Sequence, residues 1–160
     1  MESTQNIITD IEEFIYKEAD LINSEQLNEW LELFTDDAFY WIPSNSDDID
    51  PKKHVSIIYD DRKRLEERVW RIESGQAYGQ QPRSKTRHII SNVFIKDSDT
   101  DMVVVSSNFM IVEMRRSKQT IYSGRFEHQL VREESSWKIG SKKVELINND
   151  EYLGNLSFIL

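Results

Sequence analysis

At 160 residues, with no cysteine and a net charge of -9 from 29 acidic against 20 Lys and Arg side chains, the chain excludes several kinds of chemistry. It has no thiol nucleophile, no thiolate-bound iron–sulfur cluster, no cysteine zinc site and no disulfide framework. An isoelectric point near 4.9 speaks against a nucleic-acid module, whose affinity would come from Lys and Arg on phosphates. A chain of this length buries roughly two-thirds of its unfolded surface and needs no covalent staple to hold a core. With five Gly, three Pro, no repeat and no evident linker, a single domain over residues 1–160 is expected. The start, Met1-Glu-Ser-Thr-Gln-Asn, lacks the basic and apolar stretches of a signal peptide, and no run approaches the length of a membrane span, so a cytoplasmic protein without membrane contact is expected.

In chain order, Ile7, Ile11, Phe14, Ile15, Glu18, Ala19 and Ile22 fall at three- and four-residue spacing, the stripe of an amphipathic helix over 7–22. Thr9 and Glu12 have the form of a capping box that would start its regular part. Asn23, with Gln26 three residues on, reads as the cap of a second helix carrying Leu27, Trp30, Leu31 and Phe34 and ending at Asp36-Asp37. Ala38 to Ile42, stopped by Pro43, reads as a strand, and Ser44 to Lys53 as an acidic turn region. A third helix is predicted from about Asp60 to Ser74, with Leu65, Val69 and Ile72 inward, Gly75 as its stop, and i,i+4 pairs Asp60 with Arg64, Lys63 with Glu67 and Glu67 with Arg71.

From Thr86 the period changes to two, giving strands at Thr86 to Lys96, Met102 to Arg116, Thr120 to Arg132 and Trp137 to Ile147, joined by short links as in an antiparallel meander. In the last strand Trp137 and Ile139 share one phase while Val144 and Leu146 share the other, which predicts a bulge at Gly140. Helices first and long strands after give an α+β fold, with helices on one face of a strongly curved, mostly antiparallel sheet. Met102 to Arg116 is apolar in both phases, and Thr86 to Lys96 behaves alike. The face not covered by helices therefore either meets a partner subunit or closes on itself as the sheet curls.

Candidate chemistry is sparse. The histidines are His54, His88 and His128, and no helical metal-ligand spacing supports an iron site built on His88 and His128. His128 shares its phase with Tyr122, Phe126 and Leu130 and reads as a core histidine bonded to a neighbour, while His54 has no visible partner. His88 projects toward the helix-covered face near the expected place of Tyr40, so the two could act as acid and base in a free-standing dehydratase or isomerase. Alternatively Tyr40, His88, Trp30 and Trp41 are ordinary packing at the mouth of the sheet. The chain has no nucleophile elbow, no phosphate loop and no dinucleotide fingerprint.

Several segments in order resemble the small (beta) subunit of aromatic-ring-hydroxylating, Rieske non-heme iron dioxygenases: Phe14-Ile-Tyr-Lys-Glu-Ala-Asp-Leu-Ile22, Glu29 to Asp37, Tyr40-Trp-Ile-Pro43, Ile58 to Arg62, Leu65 to Val69, Pro82 to His88 and Ile90 to Val93. Gly124-Arg125, Trp137-Lys-Ile139, Lys142-Lys-Val144 and Leu146-Ile-Asn148 complete a resemblance over about residues 8 to 160. It implies a cone-shaped fold like that of nuclear transport factor 2, of the SnoaL-like and cystatin-like kind. It also implies an α3β3 hetero-hexamer with a beta trimer inside it, and a role in the cis-dihydroxylation of aromatic hydrocarbons during their catabolism. The Rieske [2Fe-2S] cluster and mononuclear Fe(II) are expected in the alpha subunit, fed by a ferredoxin and reductase, with no cofactor, metal or catalytic residue in this chain. The absence of cysteine and of any C-x-H with C-x-x-H pair agrees with that division.

The same fold hosts isomerases and dehydratases. The segment Asp36-Asp-Ala38 leads to Ile42-Pro43, where isomerase-like members carry their catalytic aspartate before the proline. Thr86-Arg-His88 resembles half of a scytalone-dehydratase site, but Met102 to Val112 lacks the second histidine. Met102 to Arg116 and Tyr152 to Leu160 are the segments expected to touch the alpha subunit.

Overall fold

The computed structural model describes residues 4–44, 50–52, 56–151 and 156–160. Six strands form one open sheet in the order β2-β1-β6-β5-β4-β3, in which β1 (Phe34–Pro43) runs parallel to β6 (Ser136–Leu146) and every other pair is antiparallel. The long strands β3 (Lys85–Ser98), β4 (Met102–Arg115), β5 (Lys118–Glu133) and β6 form the meander that the period-two pattern predicts. Helix α1 (Thr4–Asn23) crosses one face beside β3, α2 (Leu27–Leu31) follows it, and α3 (Arg62–Glu73) packs over β1. Ile11, Ile15 and Ile22 of α1 and Leu65, Val69 and Ile72 of α3 meet Val105, Ile111, Phe126, Leu130 and Ile139 of the sheet, so all three helices share one side.

Gly140 behaves as its neighbours predict. Gln129 pairs with Ser141 and Leu130 with Ile139, so Gly140 is the extra residue that moves the inward set from Trp137 and Ile139 to Lys142, Val144 and Leu146. A second irregularity lies in β3 between Ser91 and Phe94, where Asn92 takes φ 54. It turns Val93 and Ile95 inward with His88 and Ile90, and leaves Ile89 and Phe94 outside. Asn tolerates the left-handed region because its short polar side chain bonds locally.

The amino-terminal half departs from expectation in four places. Helix α1 runs from Thr4, and Thr9 lies within it donating to the Gln5 carbonyl at 3.0 Å, so it caps nothing. Asn23 is the last residue of α1 rather than a cap, and α2 begins after Gln26, which makes no side-chain cap bond. That second helix is only five residues long, and Phe34, Asp36 and Asp37 belong to β1, where the sheet's demand for a parallel partner beside β6 overrides local acidic turn character. Between β1 and α3 the sequence pattern missed β2 (Ser56–Asp61), a short edge strand whose Asp60 pairs with Arg68 at 2.6 Å instead of Arg64. Asp61 caps α3 by accepting from the Arg64 amide at 2.9 Å, which sets the helix start at Arg62.

Strands β5 and β6 approach so closely at Gly124 that an added Cβ would lie 1.9 Å from the Glu145 carbonyl oxygen. Gly140 differs, since its nearest neighbour would be 3.4 Å away. Gly124→Ala should therefore lower stability by about 2–3 kcal/mol, and Gly140→Ala by less than about 1 kcal/mol, as read by urea unfolding; equal losses at the two sites would contradict the stated packing.

Candidate functional site

One inward row of the sheet carries the polar chemistry of the interior. Tyr40 of β1 pairs with Lys142 of β6, and Lys142 pairs with His128 of β5, so adjacent strands place the three side chains side by side under α1. Lys142 reaches that row only because the Gly140 bulge shifts the phase of β6. Glu18 comes down from the apolar stripe of α1 and Trp30 from α2.

The Glu18 carboxylate accepts from His128 Nε2 at 2.8 Å on Oε1, and from Lys142 Nζ at 2.7 Å and Trp30 Nε1 at 2.9 Å on Oε2. Burial alone would raise its pKa, but Lys142 and His128 beside it outweigh that and hold the carboxyl well below the usual carboxylate range. Burial lowers the Lys142 pKa, and Glu18 opposes the shift. The ammonium also donates to the main-chain oxygen of Leu160 at 2.8 Å and lies 4.3 Å from the centre of the Phe126 ring, so each of its faces is occupied. A carboxylate only accepts, so His128 carries its hydrogen on Nε2; Nδ1 is buried without a partner among the described residues.

Tyr40 and His88, the two candidate acid and base groups, are not brought together as a reacting pair. The Tyr40 hydroxyl accepts from the Leu160 amide at 3.0 Å and donates to the Leu160 oxygen at 3.3 Å, and burial pushes its pKa up. His88 Nδ1 lies 2.7 Å from Asn23 Oδ1, an acceptor that Thr86 also uses at 3.2 Å, so the imidazole donates there and Nε2 is left as a buried acceptor without a partner among the described residues. Burial first, and the Lys142 charge second, push the His88 pKa down to about 3, against a smaller upward pull from Glu18. Trp30 is fully buried against Phe34 and Tyr40, and Trp41 faces the other side of the sheet, bonded to Ser56 and covered by Lys143. His54 lies outside the described residues.

The interior is filled by the chain itself. Leu156, Phe158, Ile159 and Leu160 are buried, Ser157 bonds Gln80 and the Gly79 carbonyl, and Phe158 packs edge-on against Tyr122. The cavity between these residues and Ile22, Leu27, Ile72 and Thr86 measures 30 Å³, about the share of one water molecule. A larger concavity, 810 Å³, is elsewhere. It is an open trough on the outer face along β5 and β6, lined by Asn108, Arg125, Glu145 and Asp150 among others, and holds neither Tyr40 nor His88. Among the described residues no three His, Asp or Glu side chains are placed to share a metal ion.

A sequence profile described as ring hydroxylating beta subunit matches residues 17–150. The 2-halobenzoate 1,2-dioxygenase small subunit of Burkholderia cepacia is 33% identical over 154 residues, covering 93% of each chain. The chain belongs to the beta-subunit family of ring-hydroxylating dioxygenases. Among solved structures, the beta subunit of benzoate 1,2-dioxygenase from Burkholderia mallei superposes with a TM-score of 0.78 at 31% identity, covering 94% of this chain and 96% of that one. A scytalone-dehydratase-like protein of Novosphingobium aromaticivorans superposes with a TM-score of 0.70 at 15% identity, covering 91% of this chain and 88% of that one, which places the fold in the cone class. The matched span includes Glu18, Tyr40, His128 and Lys142.

Glu18 and Lys142 were not singled out by sequence reasoning, although both signals were present: Glu18 sits in the apolar stripe of α1, and Lys142 shares the phase of Val144 and Leu146. A charged residue at each of two core-facing positions, one acidic and one basic, is the mark of a buried pair.

Two outcomes follow. Lys142→Met leaves Glu18 buried with its main cation gone and should cost about 3–5 kcal/mol, with Glu18→Gln in the same chain restoring part of the loss in denaturant unfolding. His88 binds its proton more weakly folded than unfolded, so its contribution is full above pH about 6.5 and is lost as the pH falls toward about 3. Between pH about 7 and about 5 that amounts to roughly 2 kcal/mol, and His88→Gln should flatten the fall by that amount. An unchanged slope in the variant would show that other groups govern the acid side.

Proposed function

We propose that this chain is the structural, noncatalytic component of a multicomponent aromatic-ring-hydroxylating dioxygenase. The observation that carries the reading is the match to the ring-hydroxylating beta-subunit family over residues 17–150, and the two candidate acid and base groups agree with it, the Tyr40 hydroxyl being bonded to Leu160 and His88 to Asn23.

In this reading the chain assembles with an alpha subunit as an α3β3 hexamer in the cytoplasm. The alpha subunit holds a Rieske cluster and a mononuclear iron that activate dioxygen for cis-dihydroxylation, with electrons from a ferredoxin and its reductase. This chain has no cysteine to ligate a cluster, and among the described residues no three His, Asp or Glu side chains are grouped to hold an iron. What the beta subunit contributes is a rigid body: the Glu18 cluster fixes its helices on its sheet, and the opposite side of the sheet is left for contact. Its relatives act in benzoate and halobenzoate dioxygenation, and an aromatic compound is the corresponding substrate class for the assembly.

Co-expression with a candidate large subunit from the same genome tests this. A complex several times the mass of the 19.0 kDa chain, containing iron only when both chains are present, is the expected result. Turnover by the isolated chain, abolished by His88→Ala with the fold retained, would overturn it.

A further inference from the structure

Leu156, Phe158, Ile159 and Leu160, from a segment expected to touch the alpha subunit, are buried inside the cone, yet residues 156–160 add no strand to the sheet and no turn to a helix. They form a strap held at two points. At one, Ser157 Oγ accepts from Gln80 Nε2 and donates to the Gly79 carbonyl, both at 2.9 Å. At the other, the Leu160 amide donates to the Tyr40 hydroxyl at 3.0 Å, while the Leu160 oxygen accepts from Lys142 Nζ at 2.8 Å and from the same hydroxyl at 3.3 Å. Burial of four apolar side chains holds the strap down, but the cost of ordering five residues without ladder bonds opposes it. The 30 Å³ cavity lies directly against Phe158 and Ile159, so packing beside the strap is incomplete.

The floor under Leu160 does not need the strap. Register aligns Asp60, Tyr40, Lys142 and His128 on four adjacent strands. Lys142 and His128 keep Glu18 as a partner when the strap lifts, and Asp60 keeps Arg68. Tyr40 loses its partners, because among the described residues the hydroxyl of this fully buried side chain bonds only Leu160. That hydroxyl offers one donor and an acceptor, Lys142 offers a second donor, and the rings of Phe126 and Trp30 stand beside them as apolar walls. Such a floor suits whatever presents the groups that Leu160 presents: an acceptor oxygen and an N–H on a small apolar body.

We infer that residues 156–160 open as a unit while the rest of the domain stays folded, and that the Tyr40–Lys142 floor they uncover binds a small apolar N-acyl amino acid or its amide in the place of Leu160. Strap and ligand exclude each other, so the apparent affinity falls by the fraction of chains in which the strap is open. Neither the strap nor its site depends on the assembly role proposed above.

Native-state hydrogen exchange of the full-length chain tests the opening. The Leu160 amide should exchange about 100-fold faster than the slowest amides of β5, at a rate that low urea leaves unchanged. Exchange of both at one rate would overturn the strap. Titration with N-acetyl-leucinamide and, separately, N-acetyl-leucine, followed by amide chemical shifts, tests the site. Phe158→Ala loosens the strap without touching the floor, and should raise the affinity for at least one probe about tenfold over the unaltered chain, with the shifts centred on Tyr40 and Lys142. Adding Tyr40→Phe should remove that gain while circular dichroism shows the fold retained. Leu160→Ala serves in the same way where Phe158→Ala does not fold. Equal affinity with and without the strap substitution, shifts centred elsewhere, or no saturable binding of either probe would overturn the site.

Discussion

The Glu18 carboxylate is the point on which the architecture depends. Its three hydrogen bonds come from α2, β5 and β6, and through Lys142 it is joined to Leu160 and so to Tyr40 of β1. A helix laid on a sheet by apolar contacts alone can slide by a turn at modest cost, because hydrophobic attraction is not directional. A fully buried carboxylate cannot, since each displaced donor leaves a charge unpaired in a medium of low polarity. The cluster therefore contributes register more than net stability.

Two single-residue irregularities make that cluster and the outer face possible. Gly140 turns Lys142 from the solvent phase of β6 into the core phase, and the bulge at Asn92 turns Val93 and Ile95 inward while Phe94 goes out. In a strand of strict period two, one inserted residue exchanges the fate of every side chain after it. A long strand can thus serve the core with one phase before the bulge and with the other phase after it, which a regular strand cannot do.

The two sides of the sheet divide the labour. On the inner side Phe158, Ile159 and Leu160 pack into the cone, and Glu18, His128 and Lys142 bond one another. On the outer side, Ile89, Met110, Met114 and Ile121 are exposed beside Lys85 and Lys118. The cone is shared by enzymes and by the beta subunits of ring-hydroxylating dioxygenases, because fold leaves function to the groups placed on it.

The four long strands, the α+β class and the Gly140 bulge were legible in the sequence, because alternation over many residues is a local pattern and a phase change within it has one simple cause. His128 as a bonded core histidine was legible for the same reason. The edge strand β2, the short α2 and the extension of β1 back to Phe34 were not, since each is held by a partner distant in sequence: β1 by β6, β2 by β1, and Asp60 by Arg68. Which neighbours Tyr40 and His88 bond was not legible either, because the sequence sets which face each residue points to but not which neighbour reaches it first. Tertiary structure decided that Leu160 closes on Tyr40 and Asn23 on His88, since the closest donors and acceptors in a packed interior come from segments 120 and 65 residues away along the chain.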